Sequence, residues 1–144
     1  MHLLPMLYLL FSSGDAIQTS GKVMLQNSFF YFTEPLAEGN FVKTTIELNE
    51  AHGIFQGHFP GQPVVPGVCM IQMVKEVVEK MIGKDTRLMK ADNIKFLALT
   101  DPARTSTIHM ELKINRTGEM IKVDAQLIGN GTVIFKFKGT FISR

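Results

Sequence analysis

The chain has 144 residues, 45% of them hydrophobic and 19% charged, with a formal net charge of +2. This supports one domain with a real core, excludes disorder for the bulk of the chain, and gives no strong pull towards nucleic acid or a membrane. Its one cysteine, Cys69, excludes an intrachain disulfide and a multi-cysteine zinc site, and fits a reducing, cytoplasmic setting.

Leu3 to Phe11 form an apolar run interrupted by Pro5, too short for a membrane helix, which needs about 20 residues. A secretory signal calls for a basic start, and only His2 stands there. Ser12 to Lys22 is polar and reads as a loop or linker. Residues 1–23 are thus an N-terminal extension on which no chemistry is placed, and the domain proper is expected over 24–144. Between Phe41 and Leu48, Val42, Thr44, Ile46 and Leu48 alternate with Lys43, Thr45 and Glu47, the pattern of a half-buried strand.

Residues 57–67 carry three prolines and three glycines in eleven positions, a density that neither helix nor ladder strand survives. Pro66 suits the first turn of a helix that runs to about Ile82 and is stopped by Gly83. On this helix Gln72, Lys75, Glu76, Glu79 and Lys80 share one stripe. Apolar residues from Val68 to Ile82 cover most of the remaining circumference, so a sheet should wrap it on most sides. After Asp92 the period is two. Ile94, Phe96 and Ala98 are expected to alternate inward in a short strand, followed by strands over 106–114, 119–128 and 133–141, the last with Lys136, Lys138 and Thr140 opposite its apolar face. Asn115–Gly118 and Gly129–Gly131 read as hairpin turns. One long helix with an antiparallel meander is an α+β domain.

In the proline–glycine loop, His58 can exchange a proton near neutral pH, with Phe59 and Pro60 holding it against apolar surroundings. A histidine fixed by a structural hydrogen bond is the alternative. At the helix start, the backbone N–H groups of Gly67 and Val68 lack intrahelical acceptors and could polarise a carbonyl or stabilise an enolate. Water or a local side chain could equally satisfy them. His52 reads as a loop residue and His109 as solvated. Cys69 is better read as a small buried hydrophobe than as an activated thiol. Met70, Met73, Met81 and Met89 could line an adaptable tunnel or simply fill the core. Lys84, Arg87, Lys90 and Lys95 could meet an acidic partner or form a solvated face.

The run Gly57-His58-Phe59-Pro60-Gly61-Gln62-Pro63-Val64-Val65-Pro66-Gly67-Val68 resembles the signature loop of the 3-hydroxyacyl-acyl carrier protein dehydratases, the FabZ and FabA type. The likeness extends over roughly Met24 to Arg144. It implies a hot-dog fold, an antiparallel sheet wrapped around one long central helix. It also implies a homodimer or higher homo-oligomer, with a heterodimer as the variant, and a substrate carried by acyl carrier protein in fatty acid or related acyl-chain synthesis. No metal or cofactor is implied. By this likeness His58 takes the C2 proton and the Gly67 amide binds the thioester carbonyl. Val68, Phe59 and Pro66 complete the substrate-binding set.

Where the family carries an acid on the helix, this chain has Gln72, the second catalytic position. The amide has a similar shape but neither gives nor takes a proton near pH 7. Three compensations are open. Glu76, one turn on, could reach the substrate, although a solvated pairing with Lys80 is the simpler reading. A related subunit could supply a carboxylate, or His58 could perform both proton transfers. A non-catalytic acyl-thioester-binding or partner subunit, and a thioesterase on the same fold, are the competing functions.

Overall fold

A computed structural model describes residues 17–19, 22–57 and 64–144. Its elements are β1 (Ile17–Thr19), β2 (Lys22–Met24), β3 (Phe30–Phe32), β4 (Leu36–Glu38), β5 (Phe41–Leu48), a short α1 (Ile54–Gly57), the long α2 (Gly67–Ile82), β6 (Thr86–Phe96), β7 (Thr107–Thr117), β8 (Met120–Gly129) and β9 (Thr132–Ser143). β1 and β2 pair with each other, so part of the segment expected to be a linker is a small ribbon. The other strands form one antiparallel sheet in the order β3-β5-β7-β8-β9-β6, and β4 shares with β3 the same edge of β5.

The alternation expected in β5, β7 and β8 is the one observed. Val42, Ile46, Ile108, Met110, Leu112, Ile121, Val123, Ala125 and Leu127 are all buried. They share one core with Cys69, Met70, Ile71, Met73, Val74, Val77 and Val78 of α2, so the long helix lies against the inner face of the sheet. Burial of each such large side chain stabilises by about 1.5–3 kcal/mol, which is why an apolar helix is secured here without help from intrinsic propensity. In β9 the expected outward residue Thr140 is instead buried, where it lies between Lys90 and Lys122 in the register of the neighbouring strands. The two hairpin turns follow turn chemistry. Asn130 and Gly131 both adopt positive φ (52° and 75°), and Gly118 opens the β7–β8 turn at φ 61°. Gly83 ends α2 in the left-handed region, with its N–H donating to the Glu79 carbonyl oxygen at 2.9 Å.

β6 departs from the expectation of a short strand starting near Ile94. It begins three residues after the Gly83 cap and runs for 11 residues. Its inward positions are Thr86, Leu88, Ala91 and Ile94, spaced two, three and three. The register against β9 explains the spacing. Leu88, Ala91 and Ile94 face Phe141, Gly139 and Phe137, with a shift after Leu88 and another after Ala91. Each shift adds one residue to β6, so the burial period stretches from two to three. Gly139 lies beside the first bulge, where a Cβ would stand 2.6 Å from the Lys90 carbonyl oxygen and 2.6 Å from the Phe137 ring. Phe96, expected inward, is 57% exposed at the end of the strand.

Candidate active site

The helix start is built by close packing. Pro66, in extended conformation (φ −63°, ψ 141°), occupies the N-cap and offers no side-chain oxygen to the first turn. Val65 is anchored by donating its N–H to the Thr100 carbonyl oxygen at 2.8 Å. A Cβ on Gly67 would come within 2.6 Å and 2.7 Å of two Phe96 ring carbons. The missing side chain therefore lets the end of β6 lie directly on the first turn of α2. Phe96 in turn packs on Phe135, ring centroids 5.3 Å apart. The result is a helix N-terminus whose backbone N–H groups carry the positive end of the helix dipole, with half-buried Gly67 and Val68 leading it.

Gln72 lies five residues on, about 7.5 Å along the axis, and is buried (2% exposed). Its Nε2 donates to Glu76 Oε2 at 3.0 Å. Glu76 is itself buried (3% exposed) and receives two backbone N–H groups from a distant part of the chain, Leu25 at 2.8 Å on Oε2 and Gln26 at 2.9 Å on Oε1. Burial pushes the Glu76 carboxyl above its ordinary range, and the neighbouring Glu79 charge adds to this, against the pull of the three N–H donors. Glu79, one turn on from Lys75, accepts from the Lys75 ammonium at 3.0 Å and from the Thr86 N–H at 2.6 Å. The polar stripe of α2 is thus mostly an interior seam. Its carboxylates clamp the segment after β2 and the first residue of β6 onto the helix.

This corrects the solvated reading of the stripe. Glu76 does not pair with Lys80, which instead faces Glu34 at 3.8 Å on the surface. Nor is Glu76 aimed at the helix start, since both its oxygens serve Leu25, Gln26 and Gln72. Helical periodicity places these side chains on one face but is silent about what covers it, and the covering donors lie some 50 residues away. Cys69 is fully buried, and burial together with the Glu76 charge drives its thiol well above the usual range, so it behaves as the expected small hydrophobe. Met70 and Met73 are core residues, whereas Met89 is exposed. Lys84, Arg87, Lys90 and Lys95 are solvated, Lys90 pairing with Asp92 at 3.2 Å.

Among the histidines, His109 is exposed as expected, with Nδ1 3.4 Å from Thr45 Oγ1. His52 does lie in a loop but is buried there. Its Nδ1 accepts the Ile54 N–H at 3.2 Å, and its ring meets Phe29 edge-on at 5.3 Å. No signal in the sequence distinguishes that buried ring from a surface one. His58 and Phe59 lie outside the described residues. Of the expected site, the structure brings together Pro66, Gly67, Val68 and Gln72 on the first turns of α2, and adds Phe96 and Glu76 to them.

Comparison with known proteins gives this geometry a family. A family model described as ApeI dehydratase, of the ApeI-like group, matches residues 34–132. A 3-hydroxyacyl-[acyl-carrier-protein] dehydratase FabZ of Caulobacter sp. strain K31 is 32% identical over 94 residues, covering 65% of this chain and 53% of that protein. The chain therefore spans about half the length of such relatives. Among solved structures, the dehydratase heterocomplex ApeI:P from Xenorhabdus doucetiae superposes with a TM-score of 0.59 at 11% identity, over 77% of this chain and 80% of that one. A hypothetical thioesterase with coenzyme A from Streptococcus pneumoniae superposes at 0.56 and 10% identity, over 80% and 85%. These likenesses establish the α+β hot-dog fold, one long helix held against an antiparallel sheet. Among the described residues no helix is long and apolar enough to cross a membrane. With a family model matching well over half its length, the chain belongs to the ApeI-like dehydratases.

Proposed function

We propose that this protein is a hydro-lyase that removes water from a 3-hydroxyacyl thioester borne by acyl carrier protein, giving the 2-enoyl thioester, in fatty acid or related acyl-chain synthesis. The observation that carries the reading is the start of α2 in a chain of a dehydratase family. A glycine-led helix N-terminus with no side-chain cap stands one and a half turns from the buried Gln72. In this scheme the His58 imidazole takes a proton from C2, and the electron pair moves onto the thioester oxygen, which the Gly67 N–H and the helix dipole stabilise. As the carbonyl re-forms, the C3–O bond breaks and the hydroxyl leaves as water with the proton that His58 holds. Gln72 orients the hydroxyl but supplies no proton. Val68, Pro66 and Phe59 flank the thioester.

The reading includes a cytoplasmic protein working as a homodimer. The outer edge of β6 pairs with no strand among the described residues, and Phe96, Leu97 and Leu99 beside it are exposed, which supports a second chain of this fold on that edge. A second function, a non-catalytic acyl-binding subunit of a heterodimer, is favoured by one observation, the neutral amide at position 72. Incubation with 3-hydroxyacyl carrier protein, followed by mass for loss of water, separates the two. Turnover in the wild type that disappears in His58→Ala is the expected result. Binding of the acyl carrier without turnover assigns the subunit role.

A further inference from the structure

We propose that the outward face of β8, β9 and β6 docks on a bilayer surface rich in anionic phospholipid. A net charge of +2 for the whole chain gives no pull towards a membrane, but that charge is unevenly placed. These three neighbouring strands carry six cations, Arg87, Lys90, Lys95, Lys122, Lys136 and Lys138, against two acids, Asp92 and Asp124, and all eight are exposed. The net +4 of this face leaves −2 for the remainder of the chain. Leu88, Ile121, Val123, Phe135 and Phe137 of the same strands fill the core, so the alternation turns the charged residues outward. Lys90 pairs with Asp92 at 3.2 Å and Lys138 with Asp124 at 3.9 Å. Arg87, Lys95, Lys122 and Lys136 make no ion pair among the described residues. Lys95 and Lys136 stand directly opposite each other in the β6–β9 ladder, a like-charge pair that destabilises a sheet. On its other side Lys136 faces Gln126, which offers no charge to relieve the repulsion.

Of the polyanions that such a face attracts, a lipid surface fits best. Five of the six cations are lysines, point charges without the planar fork by which arginine reads phosphates or bases one by one. No aromatic side chain stands among them, the Phe96 ring at the end of β6 being turned onto Gly67 of the helix. The face therefore has neither a platform for stacked bases nor the central anchor that protein interfaces use. What it does have is a broad positive field, which an anionic bilayer answers without any shape of its own. The core that holds α2 lies on the opposite face of the sheet, so the seated protein keeps the helix start turned away from the lipid. The homodimer proposed above enlarges the field. Two copies joined along the β6 edge, about a two-fold axis perpendicular to the sheet, set both lysine faces on one side with Lys95 and Lys136 near the seam.

The test is cosedimentation of the full chain with vesicles of phosphatidylcholine alone, or with about a third phosphatidylglycerol, at low and high salt. Binding to the mixed vesicles only, lost at high salt, is the expected result. Lys95→Gln/Lys136→Gln should weaken that binding about thirtyfold, the worth of two lysines at such a surface. Its melting temperature should not fall, since the substitutions remove a repulsion. Lys80→Glu changes the net charge equally but on α2, and should leave binding within about twofold. No binding to the mixed vesicles at low salt, equal binding to the neutral ones, undiminished binding in the folded double variant, or an equal loss in Lys80→Glu overturns the proposal. So does tighter binding, through the same two lysines, to a random duplex DNA or to acyl carrier protein, which gives the face to that partner. No acyl thioester enters the experiment, so the hydro-lyase reading stands or falls separately.

Discussion

Restoring a carboxyl at position 72 should create a general acid whose proton is held by its neighbour. In Gln72→Glu the new carboxyl stands where the amide nitrogen lies 3.0 Å from Glu76 Oε2. Two negative charges at that separation, with an effective dielectric constant of about 20, repel by about 5.5 kcal/mol. The pair therefore keeps one proton between them at neutral pH. The backbone N–H groups of Leu25 and Gln26 favour the ionised form of Glu76, so the shared proton resides on residue 72. That group can then protonate the departing hydroxyl, a contribution worth about 10²–10⁴-fold in rate. The assay is kcat for dehydration of a 3-hydroxyacyl thioester against pH. A large rise at pH 7, with an alkaline limb absent from the wild type as the pair gives up its proton, is expected. Unchanged kcat in a folded variant that still binds substrate would falsify the assignment of Gln72 to the acid's place.

Two further outcomes concern the scaffold. Gly139→Ala drives a methyl group against the Lys90 carbonyl oxygen and the Phe137 ring, and should cost about 2–3 kcal/mol in denaturant unfolding; a loss within error of zero would show that β6 yields there. Glu76 holds its proton more tightly folded than unfolded, so unfolding releases a proton above the ordinary value of 4.5. Its contribution to stability is present below that value and declines as pH rises through the interval up to the folded value. Relative to Glu76→Gln, the wild-type melting temperature should therefore fall upward from pH 4.5, and a relative rise would contradict the raised carboxyl.

The legible parts of this fold are those whose cause is local. Gly83 announces a helix end because a left-handed residue is needed there, and Asn130-Gly131 announces a turn because both residues must take positive φ. Strands β5, β7 and β8 alternate cleanly because none of them carries an extra residue, the register shift of β8 against β9 at Leu127/Ile128 placing the extra residue on β9. β6 is hidden by its two bulges, and β3 and β4 by their length of three residues each, too few to show a period. In the site, Gly67 opens the helix that Pro66 announces, and Gln72 lies on that helix. The burial of Glu76 and Glu79 is illegible for a different reason. A carboxylate enters a core only when donors meet it, and the donors that arrive from outside the helix include main-chain groups of Leu25, Gln26 and Thr86, which carry no mark in side-chain identity.

The bulges of β6 also determine where that strand tolerates a change of length. Met89 and Asp92 are the residues that the ladder with β9 skips. Deleting either one merely regularises the ladder at that point, and Leu88, Ala91 and Ile94 keep their orientation. Deleting Asn93 is absorbed in the same way, with Asp92 taking its place, whereas deleting Ile94 leaves Asn93 or Lys95 to take the inward position opposite Phe137. Natural or engineered shortening of this strand should thus be confined to the two bulges, positions 89–90 and 92–93.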